Sequence, residues 1–149
     1  MKRLPIWFLL LTSAGACSTR AVMDQSQAQV APALVLERFL QAANIRDLQT
    51  MSRLFGTDDG PIGETASREE VELRMDLIAE ILQHADYQII SERQVPGAAS
   101  PSIRVGVDIL IVTPRGTTMV RDVGFTVLLE STSRWLVNVI ELVKITGAG

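Results

Sequence analysis

From Tyr87 onward apolar residues recur at every second position, and the breaks between these alternating runs are short enough for hairpins only. The runs cover 87–94, 102–113, 117–130 and 134–145, separated by PGAASP, by PRG and by Ser131, Thr132 and Ser133. A parallel crossover needs about a dozen residues or more, so an antiparallel four-stranded meander is expected. Upstream the period is helical: Leu36, Phe39, Leu40 and Ala43 recur at i, i+3, i+4 and i+7, with Pro32 suited to a first helical turn. Asp47 is expected to cap a second, short helix with Leu48, Met51, Leu54 and Phe55 on its apolar face and Gly56 at its end. The segment TDDGPIGETA, 57–66, reads as loop with a very short strand near Ile62; its Asp58, Asp59 and Glu64 lack the spacing of a calcium loop. Ser67 and Glu70 have capping-box spacing and open a longer helix to about Ala85, with a stripe of Val71, Met75, Ile78 and Leu82 joined by Leu77 and Ile81. The fold class is therefore α+β, two or three N-terminal helices packed on a curved meander.

Ahead of this domain, MKRLPIWFLLLTSAGAC has a basic pair, an apolar run from Leu4 to Leu11, and small residues up to Cys17. This is the layout of a secretory signal peptide, and the run is shorter than the roughly 20 residues of a spanning helix. The expected organisation is a signal peptide over 1–16, a lipidated terminus with a flexible polar tether over 17–31, and the domain over 32–146. Cleavage is expected between Ala16 and Cys17. Cys17 is the only cysteine, so no internal disulfide can form, and a bare thiol at an exported terminus would be a liability. Loss of Lys2 and Arg3 leaves twelve basic residues against seventeen acidic ones, a formal charge near −5. Nucleic acid is an unsuitable partner for such a surface.

Candidate chemistry is sparse. If Pro114, Arg115 and Gly116 form a three-residue turn, Thr113 pairs with Thr117 and Asp108 faces Asp122. Asp108 and Asp122 then fall on the polar face with Arg104 and Thr126, which reads as a solvated face more readily than as a dyad. The same register puts Arg121 on the apolar face with Met119, Val123, Phe125 and Val127. Pairing Glu130 with Arg134 across the last turn adds Trp135, Val137, Val139 and Glu141, so Arg121 and Glu141 become a candidate buried pair lining a pocket with Trp135 and Tyr87. The competing reading is that a bulge shifts the register and sends one or both charges to solvent. His84, the single histidine, is expected near the C-terminal end of the long helix, and one histidine supplies no zinc cluster. No catalytic residue, metal site or cofactor is assigned.

Ala14-Gly15-Ala16-Cys17 resembles a lipobox, with alanine where leucine is commonest. The resemblance implies a diacylglyceryl group on the Cys17 thiol, and Ser18 and Thr19 after it imply the outer membrane, facing the periplasm. ERFLQAANIRDLQTMSRLFG, Gly60-Pro61, SREE and SRWLVNVIEL together resemble the nuclear transport factor two-like fold over about residues 32 to 145, a cone in which a sheet wraps a helix. That family includes isomerases, hydrolases and non-catalytic binding modules. The resemblance implies a membrane-anchored, non-catalytic lipoprotein whose cone binds a small apolar ligand or a protein partner. One alternative is a ketosteroid-isomerase-like or polyketide-cyclase-like enzyme with Glu141 as base and Tyr87 as hydroxyl donor. Another is a structural homodimer through the open sheet face, where Leu110, Val112, Val120 and Leu128 would form the apolar patch.

Overall fold

The structure, a computed structural model, describes residues 22–147, with side chains from Pro32 onward. The leader, Ala16 and Cys17 lie outside the described residues. Helix α1 spans Val22–Asn44 and α2 spans Leu48–Leu54. A two-stranded ribbon of β1 (Gly56–Thr57) and β2 (Gly60–Pro61) leads into the single turn α3 (Ile62–Thr65) and then α4 (Arg68–Ile81). Strands β3 (His84–Gln94), β4 (Ser102–Thr113), β5 (Gly116–Leu129) and β6 (Trp135–Ile140) pair in sequence order as one antiparallel sheet, and α5 (Leu142–Thr146) follows. The chain is thus α+β, helices packed on a four-stranded antiparallel meander. No helix among the described residues is long and apolar enough to cross a membrane.

Several boundaries differ from those expected, each for a local reason. Helix α1 starts ahead of Pro32, because 22–31 is rich in Ala, Gln and Met, good helix formers without the apolar stripe that periodicity detects. Asp47 does cap α2, accepting from the Thr50 amide at 3.0 Å and the Thr50 hydroxyl at 2.6 Å, bonds that hold its carboxyl below the ordinary range. Gly56 is not a left-handed helix stop: Phe55 is already extended and Gly56 pairs with Pro61. The expected loop is therefore ordered, with its strand at Gly60–Pro61 and Ile62 opening a helical turn. Ser67 caps α4 by accepting from the Glu70 amide at 3.3 Å, while the Glu70 carboxylate goes to Arg74 instead of back to the cap. Helix α4 ends at Ile81, short of Ala85, so His84 begins β3, buried, with Nδ1 2.7 Å from the Leu82 carbonyl. Leu77 falls outside the buried stripe of α4. The last run breaks after Ile140 because Leu142 and Ile145, three apart, both pack on the core as one helical turn.

The β5–β6 turn is locked by a charged cluster. Glu130 has its carboxylate buried and accepts from the Thr132 amide at 2.9 Å and from the Thr132 hydroxyl, while Arg134 reaches it at 2.6 Å and pairs with Glu64 of α3 at 3.0 Å. These bonds, the Thr132 hydroxyl first and Arg134 second, pull the Glu130 carboxyl from 4.5 down to about 2. A carboxyl lowered in the fold stabilises it fully above the ordinary value, and that contribution disappears as pH falls from 4.5 toward 2. Glu130→Gln is expected to lower the melting temperature most at neutral pH and progressively less across that acid window. Parallel wild-type and variant profiles of melting temperature against pH would contradict it.

Candidate functional site

Two β-bulges decide where the expected site residues lie. The β4–β5 turn is one residue tighter than expected, since Thr113 pairs with Gly116, and an extra residue in β5 opposite Asp108 restores the expected register from Val107↔Val123 onward. Asp122 takes the left-handed conformation there, φ 47°. Val123, Phe125 and Val127 therefore face the core as expected, whereas Val120 replaces Met119 and Arg121 on that face. Arg121 is exposed and pairs with Asp108 at 2.9 Å, and Asp108 accepts from the Asp122 amide, so the facing Asp108–Asp122 dyad is overturned. A second irregularity lies between Thr126↔Val139 and Val127↔Val137. Glu130 and Arg134 do close the last turn, but beyond Asn138 the faces swap, leaving Val139 exposed and Glu141 away from the interior.

The proposed Arg121–Glu141 pair is therefore absent, and the four candidate pocket residues do not converge. Trp135 lines a groove of about 590 Å³ with Pro32, Arg93 and Ile103. Tyr87 lies toward the other end of β3, edge-on to His84 at 5.4 Å, its hydroxyl pKa raised by burial and by the charge of Glu37. The space between helices and sheet holds Leu36, Phe39, Met75, Ile109, Val123 and Phe125, all without solvent exposure. Burying each such side chain stabilises the fold by about 1.5–3 kcal/mol. Of the apolar patch expected on the open sheet face, Val112 is exposed and Leu110 half-buried, but Val120 and Leu128 are buried.

Glu141 joins a different cluster. Gly106 and Gly124 pair across β4 and β5, and over them lie Arg104, Asp122, Glu141 and Lys144. Arg104 donates to both Glu141 oxygens and, at 3.2 Å, to Asp122, while Lys144 reaches Glu141 at 2.8 Å. The glycines make room for this cluster, since a Cβ at Gly124 would meet the Glu141 carboxylate and Arg104. Lys144 first, then the Gly124 amide and Arg104, hold the Glu141 carboxyl below its ordinary range, and Arg104 does the same for Asp122. A carboxylate held ionised in this way is a poor proton acceptor, so the cluster suits structural clamping of α5 more than general-base work. Sequence reasoning reached Arg104 and Glu141 but not their contact, since only the irregularity in β6 brings Glu141 to the face that carries Arg104.

A broad concavity lies outside the sheet. A groove of about 960 Å³ runs between α2, α3 and α4, with Leu48, Ala66, Val71 and Leu73 as its apolar part and Glu69, Glu72 and Asp76 along α4. Leu73 is 75% exposed there. Leu73 lies off the stripe of Val71, Met75, Ile78 and Leu82, which was the available signal for this second face.

No family model matches the chain, and a search of curated proteins found no match. Among solved structures, a variant of Rv3472, described as a function-unknown protein from Mycobacterium tuberculosis, aligns with a TM-score of 0.54 at 10% identity, covering 88% of this chain and 91% of that one. At that identity the likeness carries the fold alone, an α+β arrangement of helices and antiparallel sheet consistent with the nuclear transport factor two-like cone.

Proposed function

We propose that this chain is a non-catalytic protein-binding domain, held at a bacterial envelope membrane by lipid on Cys17, that recognises its partner with its outer surface. The carrying observation is the filled interior: Phe39, Met75, Val123 and Phe125 occupy the space where a cone-shaped binder would hold a small apolar ligand. Close-packed interiors admit an apolar guest only where a cavity has been left. The enzyme reading loses support because its candidate base, Glu141, is clamped by Arg104 and Lys144 away from that interior. Protein recognition needs no interior space, and the groove beside α4 offers an exposed leucine next to polar groups, the composition of a docking surface.

The test is a titration of the purified chain with palmitate and with 1-anilinonaphthalene-8-sulfonate, following Trp135 fluorescence. No saturable complex is expected. A stoichiometric complex that protects the chain against unfolding would overturn protein binding in favour of ligand carriage. Mass spectrometry of the mature protein from host membranes checks the anchor, with an unmodified Cys17 terminus as the contrary result.

A further inference from the structure

The groove between α2 and α4 carries a charge pattern that specifies its occupant. Along the outer face of α4, Glu69, Glu72, Leu73, Asp76 and Glu80 recur at spacings of three and four, so they form one stripe beside the groove. Arg68 pairs with Glu72 and Arg46 with Asp76, leaving Glu69 and Glu80 without an ion pair among the described residues. The stripe thus holds four carboxylates against two guanidinium groups. Leu73 itself is 75% exposed, and Leu48, Ala66 and Val71 continue the apolar lining of the groove beside it.

Resting on the protein-binding reading above, we propose that this groove docks a basic amphipathic helix of a partner protein, apolar residues against Leu73 and Lys or Arg against Glu69 and Glu80. Helix-in-groove recognition uses this combination, with apolar anchors giving affinity and charge giving orientation and steering. A second copy of this chain is disfavoured as the occupant. A two-fold dimer sets the same patch against itself, and here either helix direction would bring the surplus carboxylates of one α4 close to those of the other. The neighbouring α4 pair, Glu70 with Arg74, is self-neutralised and adds nothing to the field.

The test uses the intact chain in its host envelope, with an aliphatic diazirine amino acid, which keeps position 73 apolar, at Leu73 and, separately, at Arg115 in the β4–β5 turn. Both positions are exposed, so neither replacement disturbs the core. The expected result is an adduct from position 73 whose crosslinked peptide carries Lys or Arg flanking apolar residues at helical spacing. Its yield should fall about tenfold in the Glu69→Lys, Glu80→Lys double variant at unchanged protein level. No adduct at 73, an adduct to an acidic peptide or to another copy of this chain, or a yield indifferent to the charge reversals would each overturn it. An adduct from 115 alone would sink the groove and leave protein binding standing, whereas silence at both positions and at any further surface position scanned would remove both.

Discussion

Phe125→Ala is expected to cost about 3–5 kcal/mol, close to the largest loss a single truncation produces in a domain this size. Phe125 has no exposure, sits between Val105 and Ile140 in the sheet, and faces α1 in the middle of the core. Removing the ring forfeits its transfer free energy and leaves a void that neighbouring strands, held by their ladders, close only in part. Since a domain of this length is stable by about 5–15 kcal/mol, the variant should remain folded and measurable by urea denaturation, with a lower midpoint and an unchanged slope. The cavity should also take up benzene or xenon, which the parent should not bind. A loss below about 1 kcal/mol would mean that the ring already borders open space, and an interior ligand would then become tenable.

The helices and the strand order were legible because they rest on periodicity and on connection length, which the residues display directly. Asp47 and Ser67 were legible for the same reason: a cap is a local event, decided within three residues. The candidate site was not, because its geometry depends on two bulges. Each adds one residue to one strand, and with a side-chain period of two an unbroken register can then hold on only one side of it. Nothing near Asp108 announces that β5 will place both Arg121 and Asp122 opposite it, and the signal that exists, Asp122 in a left-handed conformation, is one that aspartate merely tolerates. Hence Arg121, between the tight β4–β5 turn and its bulge, and Glu141, beyond the irregularity in β6, both turned outward and found different partners in Asp108 and Arg104. The groove escaped notice for another reason: a helix stripe identifies the buried face, and Leu73 lies on the other one.

Three glycines test how far close approach, as distinct from backbone conformation, holds this fold together. At Gly56 a Cβ would run into the Gly60 carbonyl oxygen and lie 2.8 Å from the Pro61 Cα, so backbone, not side chain, would have to move. That backbone is pinned on both sides, since Ile62 donates to the Phe55 carbonyl at 2.8 Å and Asn138 donates to the Gly56 carbonyl at 2.8 Å. Gly56→Ala is therefore expected to cost about 3 kcal/mol, the upper end of overpacking penalties, and to loosen the ribbon that seats α3 against the groove. At Gly106 the obstacles are the Ser91 hydroxyl at 2.5 Å and an Asp122 carboxylate oxygen at 2.6 Å, both ends of side chains that can turn aside. Gly106→Ala should cost about 1–2 kcal/mol. Gly97 has a φ of +74° and nothing within 4 Å of where a methyl group would sit, so only the left-handed conformation opposes alanine, at about 1 kcal/mol. Denaturation midpoints should follow that order. If Gly56→Ala were no worse than Gly97→Ala, the β1–β2 ribbon would have to be free to shift, and close approach of backbone would not be what fixes its place in the fold.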